Sequence, residues 1–263
     1  MNKKITLKTL QSMKGHEKIV MVTAYDALFA SLFDGNVDVI LIGDSLNMTF
    51  GGQEDTLSIT MDEMIYHAKA VCSGAKKSFV LLDMPFGTCG NKKQALKNAT
   101  KAYKETKIDA VKIEGGKEKV DIIKYLTDNE IAVCGHVGLK PQSSRGEGGY
   151  SVKGKSEDEK KSIIEDALAI EAAGAVMIVI EGVKPDVASA VSSAVKIPTI
   201  GIGAGVDCDG QVLVWSDMLG LNDNFVPKFV KRYIDGSTIV KDAIKQYSNE
   251  VKKASFPNEQ FTY

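Results

Sequence analysis

Eight short runs of β-branched and apolar residues recur along the chain: KIVMVTAYD, VDVILIGD, SFVLLDMP, DAVKIEGG, IAVCGHVG, AVMIVIEG, IPTIGIGAG and QVLVW. They are nearly continuously apolar rather than alternating, the pattern of parallel strands covered on both faces. Helix-length stretches separate most of them, and several carry start signals: Thr60 with Glu63 and Ser156 with Glu159 as capping boxes, and Asn91 opening NKKQALKNATKAYKET. Eight strands in strict alternation with helices predict an α/β fold closed into a (β/α)8 barrel. An open doubly wound sheet of eight would need a reversal of strand order that nothing in the sequence announces. At 263 residues and 44% hydrophobic content the chain has the length of one such barrel. No Pro/Ser-rich linker, charge block or low-complexity tract divides it, so a single domain over 1–263 is expected. A short amphipathic helix (Ile5, Leu7, Leu10 and Met13) would precede the barrel, and the stretch from Lys228 to Lys253 reads as one or two helices packed outside it. The one obvious loop insertion, PQSSRGEGGYSVKGKS at 141 to 156, is glycine-rich enough to suggest a mobile rim segment.

Charge narrows the partners. Thirty-three basic against 34 acidic residues leave a formal net charge of -1, so no global field draws the chain to nucleic acid or to an anionic membrane. Small molecules and further copies of itself remain. Cys72, Cys89, Cys134 and Cys208 form no CxxC pair and lie in or beside apolar runs, which suits buried thiols in a reducing compartment. The opening MNKKITLKTLQSMKG lacks the apolar stretch of a secretory signal, and no window approaches the ~18 apolar residues of a membrane span. A cytoplasmic location is expected.

A parallel barrel gathers its functional groups at the C-terminal ends of its strands. Those ends are unusually acidic here: Asp44 and Ser45 after the second, Asp83 on the third, Lys112 and Glu114 on the fourth, His136 on the fifth and Glu181 on the sixth. Lys112 and Glu114 are two residues apart, so both point to the same face, ~7 Å apart along the strand, and by parity toward the barrel axis. Clustered carboxylates repel unless a positive charge stands among them, and oxygen-only donors select a hard cation such as magnesium. Because magnesium takes only one or two carboxylates directly, Asp44 and Asp83 form the expected pair, with Glu114 bound directly or through water. The competing reading makes each acid a helix cap or the partner of a surface lysine.

Three other signals carry less. His136 reads equally as a substrate contact or as a polar strand-end residue satisfied by the backbone. His67, on the apolar side of a helix with Met64, Ala68 and Val71, reads as a satisfied core histidine. The GIGAG at 201 to 205 lacks the third glycine of a dinucleotide fingerprint, since position 206 is Val206, and reads as tight loop packing. No GxSxG, cysteine–histidine pairing or metal-type cysteine spacing points to covalent catalysis or zinc.

Taken in order, VTAYDALFASLF, LIGDSLNMTFGG, YHAKAV, DMPFG, VKIEGG, VCGHVGLKPQS, DALAIEAAGA, IPTIGIGAG and DGQVLV resemble the 3-methyl-2-oxobutanoate (ketopantoate) hydroxymethyltransferase family over nearly the whole chain. The resemblance implies a phosphoenolpyruvate mutase/isocitrate lyase type of barrel, a magnesium ion, 5,10-methylenetetrahydrofolate as co-substrate and a homo-oligomer, commonly a decamer. By motif, Asp44 and Asp83 resemble the metal-site aspartates and Glu114 the further acid at the metal. Asp44, Ser45, Asp83, Lys112 and His136 resemble the substrate-binding positions, with Asp44 reaching the substrate through the metal. Glu181 resembles the proton acceptor. Two departures stand out: SLNM in place of SLGM, and SSRGEGGY in place of a more apolar stretch. Both bear on pterin contacts or the rim loop. Another magnesium-dependent lyase of the phosphonopyruvate or isocitrate-lyase type, and a non-catalytic 2-oxo acid-binding barrel, remain as alternatives.

Overall fold

Each of the eight apolar runs overlaps a strand in the computed structural model, which describes residues 3–223 and 226–263. The strands are β1 (Ile19–Thr23), β2 (Val39–Ile42), β3 (Phe79–Asp83), β4 (Ala110–Glu114), β5 (Val133–Gly138), β6 (Met177–Glu181), β7 (Thr199–Ile202) and β8 (Gly210–Leu213). They pair in parallel in chain order, and β8 closes on β1 through Ile19 opposite Gly210. Around them lie helices α1 (Leu7–Met13), α2 (Ala27–Phe33), α3 (Leu46–Thr49), α4 (Met61–Gly74), α5 (Lys92–Glu105), α6 (Val120–Thr127), α7 (Ser144–Glu147), α8 (Glu157–Ala172) and α9 (Pro185–Ala194). The chain divides into two compact units, Met1–Val214, which holds this barrel, and Trp215–Tyr263.

Side-chain alternation splits the barrel interior into two zones. Inward positions near the strand starts are apolar and form one cluster: Ile19, Met21, Val39, Leu41, Phe79, Leu81, Ala110, Cys134, Met177 and Val179. Leu10 and Met13 of α1 belong to the same cluster, so the amphipathic N-terminal helix fills that end of the barrel. Two residues further along the same faces the side chains become polar: Asp83 follows Leu81, Lys112 follows Ala110, His136 follows Cys134 and Glu181 follows Val179. The parity that buries the core therefore also aims the chemistry inward.

Local signals behave unevenly. Thr60 and Glu63 form a full capping box on α4, and Asn91 caps α5 through the Gln94 N–H. At α8 only half the box forms: Ser156 accepts from the Glu159 N–H, but the Glu159 carboxylate takes the Lys155 N–H instead of that of Ser156. The 141 to 156 insertion opens on a 3-10 turn at Pro141–Ser143 that leads directly into α7. In the second unit, α10 (Trp215–Met218) and α11 (Gly236–Lys252) are the α-helices among the described residues. The expected helix from Lys228 thus begins only at Gly236, because Asp235 caps it there by accepting the Thr238 N–H. All four cysteines are free and buried, and no helix among the described residues is long and apolar enough to cross a membrane.

Candidate active site

The polar residues expected at the strand ends are brought together. Strand register places Asp83 beside Lys112, Glu114 beside His136 and Gly138 beside Glu181. The Lys112 ammonium lies 3.0 Å from Asp83 Oδ1 and 3.1 Å from His136 Nδ1. On its far side, His136 Nε2 is 3.3 Å from Glu181 Oε2, and Nδ1 is 3.6 Å from Glu114 Oε1. Asp44 joins through its backbone, whose N–H donates to Asp83 Oδ2 at 3.0 Å. Ser45 sits at the edge of the group, its hydroxyl 2.9 Å from the Tyr25 hydroxyl.

These groups are buried: Asp44 is 4% exposed, Asp83 3%, Lys112 5%, Glu114 7% and His136 1%. Charged groups so far from water need partners, which is why the helix-cap and surface-pair readings of these acids fail here. Burial, with Asp83 and Glu114 adding repulsion, holds the Asp44 carboxyl well above the usual carboxylate range. Burial also lifts Glu114 to about 7 against the pull of Lys112 and the Gln142 N–H. Glu181 rises to about 7 by burial, again opposed by Lys112. For Lys112 burial works against the charge, but Asp83, Glu114 and Asp44 outweigh it and keep the ammonium protonated. Burial and the adjacent ammonium push the His136 imidazole well below its ordinary value, so it is neutral. An ammonium has only protons to offer, so Nδ1 accepts from Lys112 and Nε2 carries the hydrogen on the side of Glu181.

Does this donor set suit a cation? One buried ammonium faces four carboxylates, and Asp83 Oδ1 is a buried oxygen without a hydrogen bond of good geometry despite the nearby ammonium. Among the described residues no three His, Cys, Asp or Glu side chains converge closely enough to cage a metal. Magnesium does not require such a cage, because one or two carboxylates suffice when water and substrate oxygens complete the shell. The residues fit that open type of site, with four acidic groups gathered around a single ammonium and Asp83 Oδ1 turned into the buried group without a well-aligned donor.

Two residues of the site carry little or no signal in the sequence. Tyr25, at the end of the first apolar run, is fully buried and meets Ser45; a hydroxyl at a strand's C-terminal end is its only mark. Gln142, from the loop after β5, reaches Asp44, Met84 and Glu114, and no local pattern singles it out. Among the weaker signals, His67 is satisfied by the Tyr25 carbonyl at 2.7 Å. The GIGAG turn packs tightly, since a Cβ on Gly205 would lie 2.9 Å from that of Pro185. Asn47 is buried, its amide donating to the Asp55 carbonyl and the Ser58 hydroxyl.

The closed eight-stranded parallel barrel shares its fold with solved members of the phosphoenolpyruvate mutase/isocitrate lyase superfamily. Solved structures with the same fold include 2,3-dimethylmalate lyase, a member of that superfamily (TM-score 0.61, 14% identity, covering 97% of this chain and 91% of that one). Phosphonopyruvate hydrolase is another (TM-score 0.63, 12% identity, covering 97% and 92%); at such identities the likeness is one of fold. The ketopantoate hydroxymethyltransferase family matches residues 4–259, and the chain belongs to it. Relatives named 3-methyl-2-oxobutanoate hydroxymethyltransferase include one from a Nitratiruptor species, 59% identical with 100% of both chains covered. Another, from Campylobacter fetus subsp. fetus, is 58% identical with 99% of each covered.

Proposed function

We propose that this protein transfers a hydroxymethyl group from 5,10-methylenetetrahydrofolate to 3-methyl-2-oxobutanoate, giving ketopantoate for pantothenate and coenzyme A synthesis. The observation that carries the reading at the site is Glu181. It is an acid held near neutrality whose side chain keeps 21% of its surface exposed and has no lysine within ion-pairing distance among the described residues. A base whose pKa lies near the working pH combines a useful ionised fraction with real basicity, and positioned proton transfer contributes roughly a hundred- to ten-thousand-fold.

In this reading Glu181 removes the lone hydrogen beside the ketone. Water cleaves the two carbon–nitrogen bonds of the folate's methylene bridge and supplies the hydroxyl oxygen, so the carbon nucleophile bonds to a one-carbon unit at the formaldehyde level. The new alkoxide takes up a proton and tetrahydrofolate leaves. Lys112 and the Ser45 hydroxyl face the substrate's oxygen end, where the ammonium offsets the charge that develops as the proton leaves. His136 stays neutral, holding Lys112 through Nδ1 and presenting Nε2–H beside Glu181. Asp44 and Asp83 would hold magnesium, with Glu114 close by. Bound there, it would supply Lewis-acid polarisation of the 2-oxo acid, an effect of several kcal/mol. A homo-oligomer would give cover to apolar side chains of α11 that the single chain exposes, such as Ile239, Ile244 and Tyr247.

The test is product analysis of the protein with 3-methyl-2-oxobutanoate, magnesium and methylenetetrahydrofolate, alongside proton NMR in deuterium oxide without folate. Ketopantoate and folate-independent exchange of the substrate's lone hydrogen are expected. Cleavage of a phosphonopyruvate- or isocitrate-type substrate without ketopantoate would replace this reading with the lyase, and binding without either reaction would leave a silent barrel.

A further inference from the structure

Gln142 lies outside the strands yet touches three of the strand ends that build the site. Its side-chain amide donates to Asp44 Oδ2 at 2.8 Å and to the Met84 carbonyl at 3.1 Å, and its backbone N–H donates to Glu114 Oε2 at 3.0 Å. One residue therefore ties the end of β2, the segment after β3 and the end of β4 together. Both amide hydrogens are used, so the carboxamide cannot rotate without losing a buried partner.

The chain reaches this place because of how it leaves β5. Gly138 has φ +95, and a Cβ there would stand 2.4 Å from the Glu181 carbonyl oxygen. Only glycine turns so closely past β6. Leu139 N–H then donates to that same carbonyl, and Pro141 opens the 3-10 turn that sets Gln142 over the acids. Further along, Arg145 pairs with Asp55 at 2.8 Å, and Lys153 N–H donates to the Gly182 carbonyl. These two contacts anchor the loop near its start and near its end.

We propose that Gln142 is a positioning residue that holds the Asp44 carboxylate, and through its backbone the Glu114 carboxylate, in the orientation from which the acid group takes a divalent cation. The proposal rests on the reading of Asp44 and Asp83 as the metal pair. A carboxylate free to rotate about its own bond loses a donor geometry that Gln142 fixes, and groups orienting metal ligands from behind typically change metal affinity or activity by about 10–100-fold.

The experiment is calorimetric titration of magnesium into wild type, Gln142→Met and Gln142→Ala, with and without 3-methyl-2-oxobutanoate, beside kcat and KM measured across magnesium concentrations. Gln142→Met fills a similar volume without a donor, so it keeps a folded protein should the alanine variant lose stability, and circular dichroism checks this. Magnesium affinity should fall about 10–100-fold in both variants, with kcat largely restored at saturating magnesium and the KM for the oxo acid little changed. That rescue separates positioning from a structural defect, which added metal would not repair. Magnesium binding within about twofold of wild type, well short of the effect expected of an orienting group, or a lost kcat that saturating magnesium does not recover, overturns the proposal. Failure of wild type itself to bind magnesium would instead overturn the metal reading and the proposal with it.

Discussion

Replacing Glu181 by glutamine should make this protein more stable and inert. Burial lifts the Glu181 carboxyl from 4.5 to about 7, so the fold favours its neutral form. A carboxyl raised in this way contributes stability that is fully present below its unfolded value and is lost as pH rises through about 7. Each tenfold change in acidity is worth ~1.4 kcal/mol, so the ionised residue costs about 3 kcal/mol at about pH 8 in the metal-free protein. Glutamine keeps the shape and carries no charge. Urea unfolding in the presence of a chelator should therefore show Glu181→Gln more stable than wild type by about 3 kcal/mol at about pH 8, shrinking to under about 1 kcal/mol at about pH 5. The same variant should lose about a hundred- to ten-thousand-fold in turnover and should not exchange the substrate hydrogen in deuterium oxide, while still binding the oxo acid. Equal stabilities under the alkaline condition would refute the raised acid. Exchange at the wild-type rate would move the base role to another group.

Three further outcomes are expected. Asp83→Asn should abolish magnesium binding measurable by calorimetry, because it removes the charge of one of the two proposed metal-holding acids, the one paired with Lys112; unchanged binding would remove Asp83 from the metal pair. Gly138→Ala should destabilise the protein by about 1–3 kcal/mol or more in thermal melts, since it combines φ +95 with a 2.4 Å approach to the Glu181 carbonyl, and a neutral effect would mean the turn relaxes freely. Amide exchange across 141 to 156 should slow when the oxo acid binds, as expected of a rim segment that closes over substrate; equal protection in both states would count against closure.

The apolar runs were legible because parallel strands under helices leave almost no polar position within them, and each of the eight runs overlaps a strand. Parity did the same for the inward faces: Lys112 and Glu114 could be placed together from their spacing of two alone. Boundaries of the C-terminal helix were less legible, because residues 228–235 carry helix-compatible composition and only the Asp235 cap decides where α11 begins. The glycines at 146, 148, 149 and 154 marked a mobile rim segment but not the 3-10 turn at Pro141–Ser143 or the short helix Ser144–Glu147 within it.

By itself, the sequence determined the number and order of strands, the inward alternation and the acidic character of the rim, all of which depend on local spacing and residue type. Which acids share a site, the neutral state of His136 and the raised acidity range of Glu114 and Glu181 were decided only by tertiary structure, because they depend on burial and on distances between strands remote in the chain. Gln142 shows the difference most plainly: its residue type and spacing assign it no role, yet closing the barrel brings it 2.8 Å from Asp44, 98 positions away in the chain.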